Sequence, residues 1–221
     1  MRLRFRLFPI VLIGLLLIMI VACDEEEPDG GATATAEPQE EVTQSSVQFV
    51  PFTDDGLGLS LQHPAGWITQ ASIAGATVAT SQAVIDVESL ADVGEEGFVV
   101  ILPGEIDYFN FQTGQTFSED DVLQALATYK VLLEREGQEY VTIEPPQSFV
   151  NDGQKIARIV LRSVEDGEPL ITVMAVVMED GYMALVSAAS LEGTAEEMRP
   201  IFERIIESIE VRPPGGLTNN E

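Results

Sequence analysis

Apolar residues concentrate in three runs of the second half of the chain, "QKIARIVLRSVE", "EPLITVMAVVME" and "YMALVSAAS". Each is rich in β-branched or other apolar residues. Asp152-Gly153, Asp166-Gly167 and Asp180-Gly181 flank them, and an Asp-Gly pair between strand-like runs is a strong signal for a two-residue hairpin turn. The pattern predicts consecutive antiparallel strands, a meander whose even spacing reflects hairpins of equal length. No residue-level repeat accompanies it. Upstream, "GLGLSLQHP" alternates Leu57, Leu59 and Leu61 with Gly58, Ser60 and Gln62, which predicts a strand with one face on a core. Pro64 ends that ladder, and "AGWIT" resumes an extended path with Trp67 turned inward. Further strands are expected over Thr77 to Ile85 and Phe98 to Leu102.

Two segments switch to a helical period. In "EDDVLQALATYKVLLEREG", Val122, Leu126, Tyr129 and Leu133 fall on one face, Ser118 with Asp121 supplies the starting cap, and Gly137 supplies the stop. A second helix opens on a capping box from Thr194 to Glu197 and carries Met198, Ile201 or Phe202, Ile205 and Ile209 as its apolar stripe. Pro200 lies past its first turn, which predicts either a kink or a helix that starts near Arg199.

The N-terminus has a different pattern. Arg2, Arg4 and Arg6 precede a stretch without charge from Leu7 to Ala22, after which comes Cys23, the one cysteine of the chain. A charged region followed by an apolar region is the order of a secretory signal. Ile20, Val21, Ala22 and Cys23 resemble the lipobox of bacterial lipoproteins. The resemblance implies diacylglycerol transfer to the Cys23 thiol and cleavage after Ala22. The competing reading, an uncleaved transmembrane helix, sits at the lower limit of about 17 residues. Either way, the basic start places the remainder outside the cytoplasm.

These signals divide the chain into a lipoprotein signal peptide (1–22), an acidic disordered tether from lipidated Cys23 (23–47), a folded domain (48–212) and a disordered tail (213–221). Residues 24–47 contain no basic residue and almost nothing large and apolar, so they cannot bury enough surface to fold. The expected place is the extracytoplasmic face of a bacterial cell membrane.

Charge narrows the partners. The chain has 11 basic and 37 acidic residues, a net charge of −26, and cleavage after Ala22 would remove three of the arginines. Such a chain repels phosphate backbones, so nucleic acid is not an expected partner. Solubility or a saline habitat explains the acidity, with cation binding or a basic partner as the alternatives.

"LGLSLQHPAGWITQ" resembles the opening of PsbP-like domains, in which a strand runs into an aromatic-proline pair followed by a tryptophan. "DGYMALVSAASLEGTAEEMRPIFERIIESIEV" is similar to that family's ending: a hairpin strand, a polar turn, a helix with an internal proline and a closing strand. The resemblance covers residues 48 to 212. It implies an α+β fold, an α/β/α sandwich with an antiparallel sheet and helices packed on both faces. It also implies an accessory or binding role, and it brings no catalytic set. Where the family has tyrosine before the proline, this chain has His63.

Candidate chemistry is sparse. One histidine and one cysteine give no zinc-ligand spacing. There is no G-x-S-x-G elbow, Walker lysine or dinucleotide fingerprint, so no catalytic residue, metal or cofactor is assigned. His63 and Trp67 read as structural residues. The acid-rich stretches "DVESLADVGEEG" and "SEDD" read as solvated loop and cap residues, with Ca²⁺ binding as the alternative. Arg158 and Arg162 share a strand face and are expected to pair with acids such as Glu168, the alternative being recognition of a carboxylate partner. Tyr108, Phe109, Phe111 and Phe117 read as a loop folded onto the core, or else as the lining of a pocket or peptide groove. The expected function is a lipid-anchored, non-enzymatic accessory protein that binds or stabilises a membrane-associated complex. A small-ligand or Ca²⁺-binding lipoprotein is the alternative.

Overall fold

The computed structural model describes residues 47–86, 96–135, 139–165 and 167–215. The signal segment, Cys23, nearly all of the tether, Gly137 and most of the first acid-rich stretch lie outside the described residues. No described helix is long and apolar enough to cross a membrane.

The meander is built as its pattern predicts. Strands β6 (Val141–Asn151), β7 (Gln154–Glu165), β8 (Glu168–Glu179) and β9 (Tyr182–Leu191) pair antiparallel in succession. Asp152 and Gly153 both have positive φ, as do Asp180 and Gly181, the backbone that matches a tight hairpin to the twist of its strands. Strands β3 (Ile68–Ala71), β4 (Ala76–Ala79) and β5 (Gly97–Glu105) extend the sheet, giving the order β3-β4-β5-β9-β8-β7-β6. A second, three-stranded sheet joins β1 (Phe49–Asp54), β2 (Leu59–Pro64) and β10 (Glu210–Val211) in the order β1-β2-β10.

The large sheet is covered on both faces, which makes its central strands almost wholly apolar. Every residue of β8 from Leu170 to Met178 is buried. On one face Ala157, Ile159, Leu161, Met174 and Val176 meet Leu126 and Tyr129 of helix α3 (Val122–Arg135). On the other, Ile156, Val160, Val173, Ala175 and Val186 meet Phe202, Ile205 and Ile206 of helix α4 (Ala195–Glu207), together with Leu59 and Leu61 of β2. The result is the expected α+β sandwich, with the small sheet sharing one face with α4. Trp67 is half-buried and sets its ring edge-on to Phe202, with centroids 6.4 Å apart.

Several expectations need correction. The strand foreseen over Thr77 to Ile85 stops at Ala79, and a short helix α1 (Gln82–Asp86) follows, with Val84 as its buried anchor. The aromatic segment is not a loop: Ile106–Thr113 forms helix α2, closed by Gly114 in the left-handed conformation. Helix α4 begins at Ala195 and keeps Pro200 inside, so it does not start at Arg199. Its capping box does not form, because the Thr194 hydroxyl donates back to Leu191 O. The chain after Val211 is also not yet loose: Arg212 N–H donates to Gly58 O at 2.9 Å and Gly215 N–H to Asp55 O at 2.6 Å. That approach requires glycine at position 58, where a Cβ would lie 2.0 Å from Arg212 O.

The hydropathy pattern predicts neither β1 nor β6. Strand β6 is the edge of the large sheet, and Pro145 and Pro146 interrupt its register with β7. Prolines on an edge discourage further strand pairing.

Leu126 is 1% exposed between α3 and the sheet, whereas Leu123 on the same helix is 42% exposed. Leu126→Ala is therefore expected to cost about 2–5 kcal/mol of unfolding free energy. Leu123→Ala should cost under about 1 kcal/mol. Equal losses in urea titrations of the two variants would contradict this packing.

Candidate functional site

Most of the polar residues singled out in the sequence prove to be committed internally. His63 is buried on β2 with its Nδ1 3.0 Å from the carbonyl oxygen of Pro64, so the one imidazole is turned onto its own backbone. Ser190 on β9 is fully buried, and its Oγ has no hydrogen-bond partner among the described residues.

The "SEDD" acids form a clasp around the start of α3. Glu119 and its two neighbours make a single 3₁₀ turn leading into the helix. Asp121 Oδ2 accepts from the backbone N–H and hydroxyl of Ser118, at 2.8 and 2.6 Å. Asp120 Oδ1 pairs with Lys155 Nζ at 2.6 Å, and Glu119 Oε1 accepts the Gly181 N–H at 2.8 Å. These contacts tie α3 to the start of β7 and to the β8–β9 turn. The Ser118 bonds hold the Asp121 carboxyl below its ordinary range. No three or more acid, histidine or cysteine side chains among the described residues are grouped to hold a metal ion.

Arg158 and Arg162 do share the face of β7 that carries Val160, but neither pairs with Glu168. Arg158 meets Glu203 of α4 at 2.5 Å and lies over the Phe149 ring. Arg199, from α4, bridges Glu203 at 3.1 Å and grips both carboxylate oxygens of Glu144 on β6. Arg162 forks onto Glu192 with two 3.0 Å bonds, which hold the Glu192 carboxyl low. Both forks are thus spent on fixing α4 and the turn before it, where the planar guanidinium suits a carboxylate. Of the aromatic segment, Phe117 is buried and Phe109 of α2 packs against the core beneath α3, while Tyr108 and Phe111 are exposed.

What the sequence did not single out is a polar cleft of about 340 Å³ where the β6–β7 hairpin meets the end of α4. Asn151, Asp152 and Gln154 come from the hairpin, Arg204, Glu207 and Ser208 from α4 and its end, and Glu179 and Gln62 from β8 and β2. Asn151 Nδ2 donates to the Glu207 backbone oxygen at 2.8 Å, which joins the hairpin to the helix end. Arg204 lies over the Phe49 ring, 3.9 Å from its centroid. The wall residues come from separated segments, and only the Asp-Gly turn was a sequence signal for any of them.

No protein-family model and no curated protein matches the chain. Solved structures do. The chain is similar to the cyanobacterial PsbP (CyanoP) of Synechocystis sp. PCC 6803, at 14% identity over 77% of this chain and 96% of that one, with a TM-score of 0.49. It is similar to LpqN of Mycobacterium tuberculosis, described as involved in cell envelope biogenesis, at 13% identity over 78% and 95%, with a TM-score of 0.45. It is also similar to a mutant of the protein Mog1, at 11% identity over 74% and 96%, with a TM-score of 0.50. At such identities a likeness concerns the fold alone, and the fold is the mixed α+β sandwich implied by the PsbP-like resemblance.

Two outcomes follow from the committed side chains. Ser190→Ala removes a buried hydroxyl that has no partner among the described residues, so it should be neutral or stabilise the fold by roughly 1 kcal/mol in urea titration. A loss of that size would mean that Oγ has a partner after all. For Asp121, a carboxyl held low in the folded state stabilises at pH values above its unfolded pKa, and the effect fades as pH falls through the folded value. Asp121→Asn should therefore lower Tm at pH 7, and the gap to wild type should close below the ordinary carboxylate range. A gap independent of pH would contradict the assignment.

Proposed function

We propose that this chain is a lipid-anchored, non-enzymatic accessory protein, held at the extracytoplasmic face of a bacterial membrane through Cys23, which binds and steadies a membrane-associated protein complex. The anchor rests on the order of charged, apolar and lipobox residues that ends at Ala22 and Cys23. Two or more acyl chains on that cysteine give a lasting attachment where one gives a marginal one. The acidic stretch that follows would act as a self-repelling tether and carry the domain away from the lipid surface.

The observation that carries the binding role is the polar cleft. Its lining offers carboxylates, amides, one hydroxyl and one guanidinium, whereas the chain's single imidazole is buried elsewhere on its own backbone. That is a surface for holding a polar group. A second reading, a small-ligand-binding lipoprotein, is favoured by the volume of the same cleft, which falls at the lower end of the range for ligand pockets.

Chemical crosslinking in native cells, followed by purification from solubilised membranes and mass spectrometry, tests the proposal. The expected result is a reproducible set of membrane-complex subunits that is lost in a Cys23→Ser chain. Recovery of the Cys23→Ser chain in the membrane fraction, or capture of nothing specific by the wild type, would overturn it.

A further inference from the structure

The cleft between α4 and the β6–β7 hairpin is lined by four carboxylates, those of Asp152, Glu179, Glu207 and Glu210, against one cation, Arg204. Gln154 is 4% exposed, and its amide nitrogen donates to Glu179 Oε2 at 2.8 Å. That bond fixes the direction of the amide. Nothing among the described residues donates to its oxygen, which is not sealed in the core and is left as an acceptor in the wall of the cleft. Asp152 and Glu207 stand on opposite walls, both exposed, and their carboxylates make no hydrogen bond or ion pair with the described residues. Glu210 adds a further carboxylate at the rim, where Ser60 binds it.

The one cation of the lining, Arg204, lies over Phe49, and the four carboxylates outnumber it. The carboxylates are also too dispersed to form a metal shell. A group that matches them must be positive, must spread several N–H donors over its surface, and must fit about 340 Å³. The side chains of arginine and lysine meet these requirements, with five donors in a planar fork or three on an ammonium, and their stems fill a narrow cleft.

We propose that this cleft receives a basic side chain, an arginine or lysine carried on an exposed segment of the protein partner. The inference rests on the accessory-protein reading only in assigning the cation to a protein. The net charge of −26 would speed the encounter with such a segment, while the cleft supplies the position at which it is read.

Calorimetric titration of the full mature chain, in detergent, with the peptide acetyl-Gly-Arg-Gly-Arg-Gly-amide tests this directly. At physiological salt the screening length of about 8 Å mutes the diffuse field of the protein. Saturable binding is expected, weakened at least about tenfold in the Asp152→Asn, Glu207→Gln double variant. Asparagine tolerates the positive φ of position 152, and neither altered side chain makes a bond that the fold needs. The Glu196→Gln, Glu197→Gln double variant removes the same charge from the exposed first turn of α4 and should bind within about twofold of wild type. Amide NMR shifts should concentrate in residues 151–154 and 204–208. Absence of saturable binding, equal weakening in both double variants, or spermidine binding as tightly as the peptide would overturn the proposal. Peptide failure with cellular capture intact rejects the basic-segment assignment alone. Capture lost while the peptide still binds rejects the anchored accessory role alone.

Discussion

The arrangement depends on strands β8 and β9 lying in the middle of a sheet that is dry on both sides. The residues from Leu170 to Met178 are all buried, so neither face can be left to water. Burial of that much apolar area is the main favourable term in the fold, at about 25 cal/mol per Å² removed from water. Two separate covers are needed as a consequence. Helix α3, with α2 beside it, closes one face. Helix α4 closes part of the other, and the small β1-β2-β10 sheet fills the rest. The β1–β2 strands and β10, far apart in the chain, meet because that uncovered area needs both.

The position of α4 in turn creates the cleft. The helix leaves the end of β9, crosses the sheet and stops beside the β6–β7 hairpin, where Asn151 holds the carbonyl of Glu207, its last residue. The arginines act as fasteners along this path. Arg158 and Arg199 share Glu203, Arg199 also takes Glu144, Arg162 takes Glu192, and Arg212 takes Asp55. Partly exposed pairs of this kind contribute little each, so their role is to fix the geometry of one layer over another. With 37 acids and 11 basic residues in the chain, and most of the described cations spent on internal pairs, many carboxylates stay unpaired, and the cleft is where some of them converge.

Much of the fold was legible from local pattern. Runs bounded by Asp-Gly turns became β7 and β8 with the same limits and β9 with one residue more, because a two-residue turn fixes register over the whole hairpin. The α3 stripe of Val122, Leu126, Tyr129 and Leu133 was equally plain. Failures came where local signals competed. Val84 and Ile85 suit a strand by composition, yet they pack as one turn of helix against Ala79 and its neighbours. Pro200 argued against a helix start at Ala195, but the apolar contacts of Phe202 and Ile205 with the sheet outweigh one missing hydrogen bond. The partners of Arg158 and Arg162 lie on α4 and its preceding turn, and no sequence spacing relates them. The cleft was the least legible part. Asp152, Gln154, Glu179 and Glu207 are ordinary polar residues in sequence and become a set only when the β6–β7 hairpin, β8 and α4 are brought together.

Native-state hydrogen exchange tests the central claim, that a sheet covered on both faces holds every other part in place, more directly than any substitution. The account predicts that amides of β8 and β9 exchange only through global unfolding, with one shared free energy, while those of edge strand β6 and of α2 exchange earlier through local opening. Amides of Val173 to Val177 that exchange as fast as those of β6 would contradict it, since a strand sealed between α3 and α4 has no local route to water.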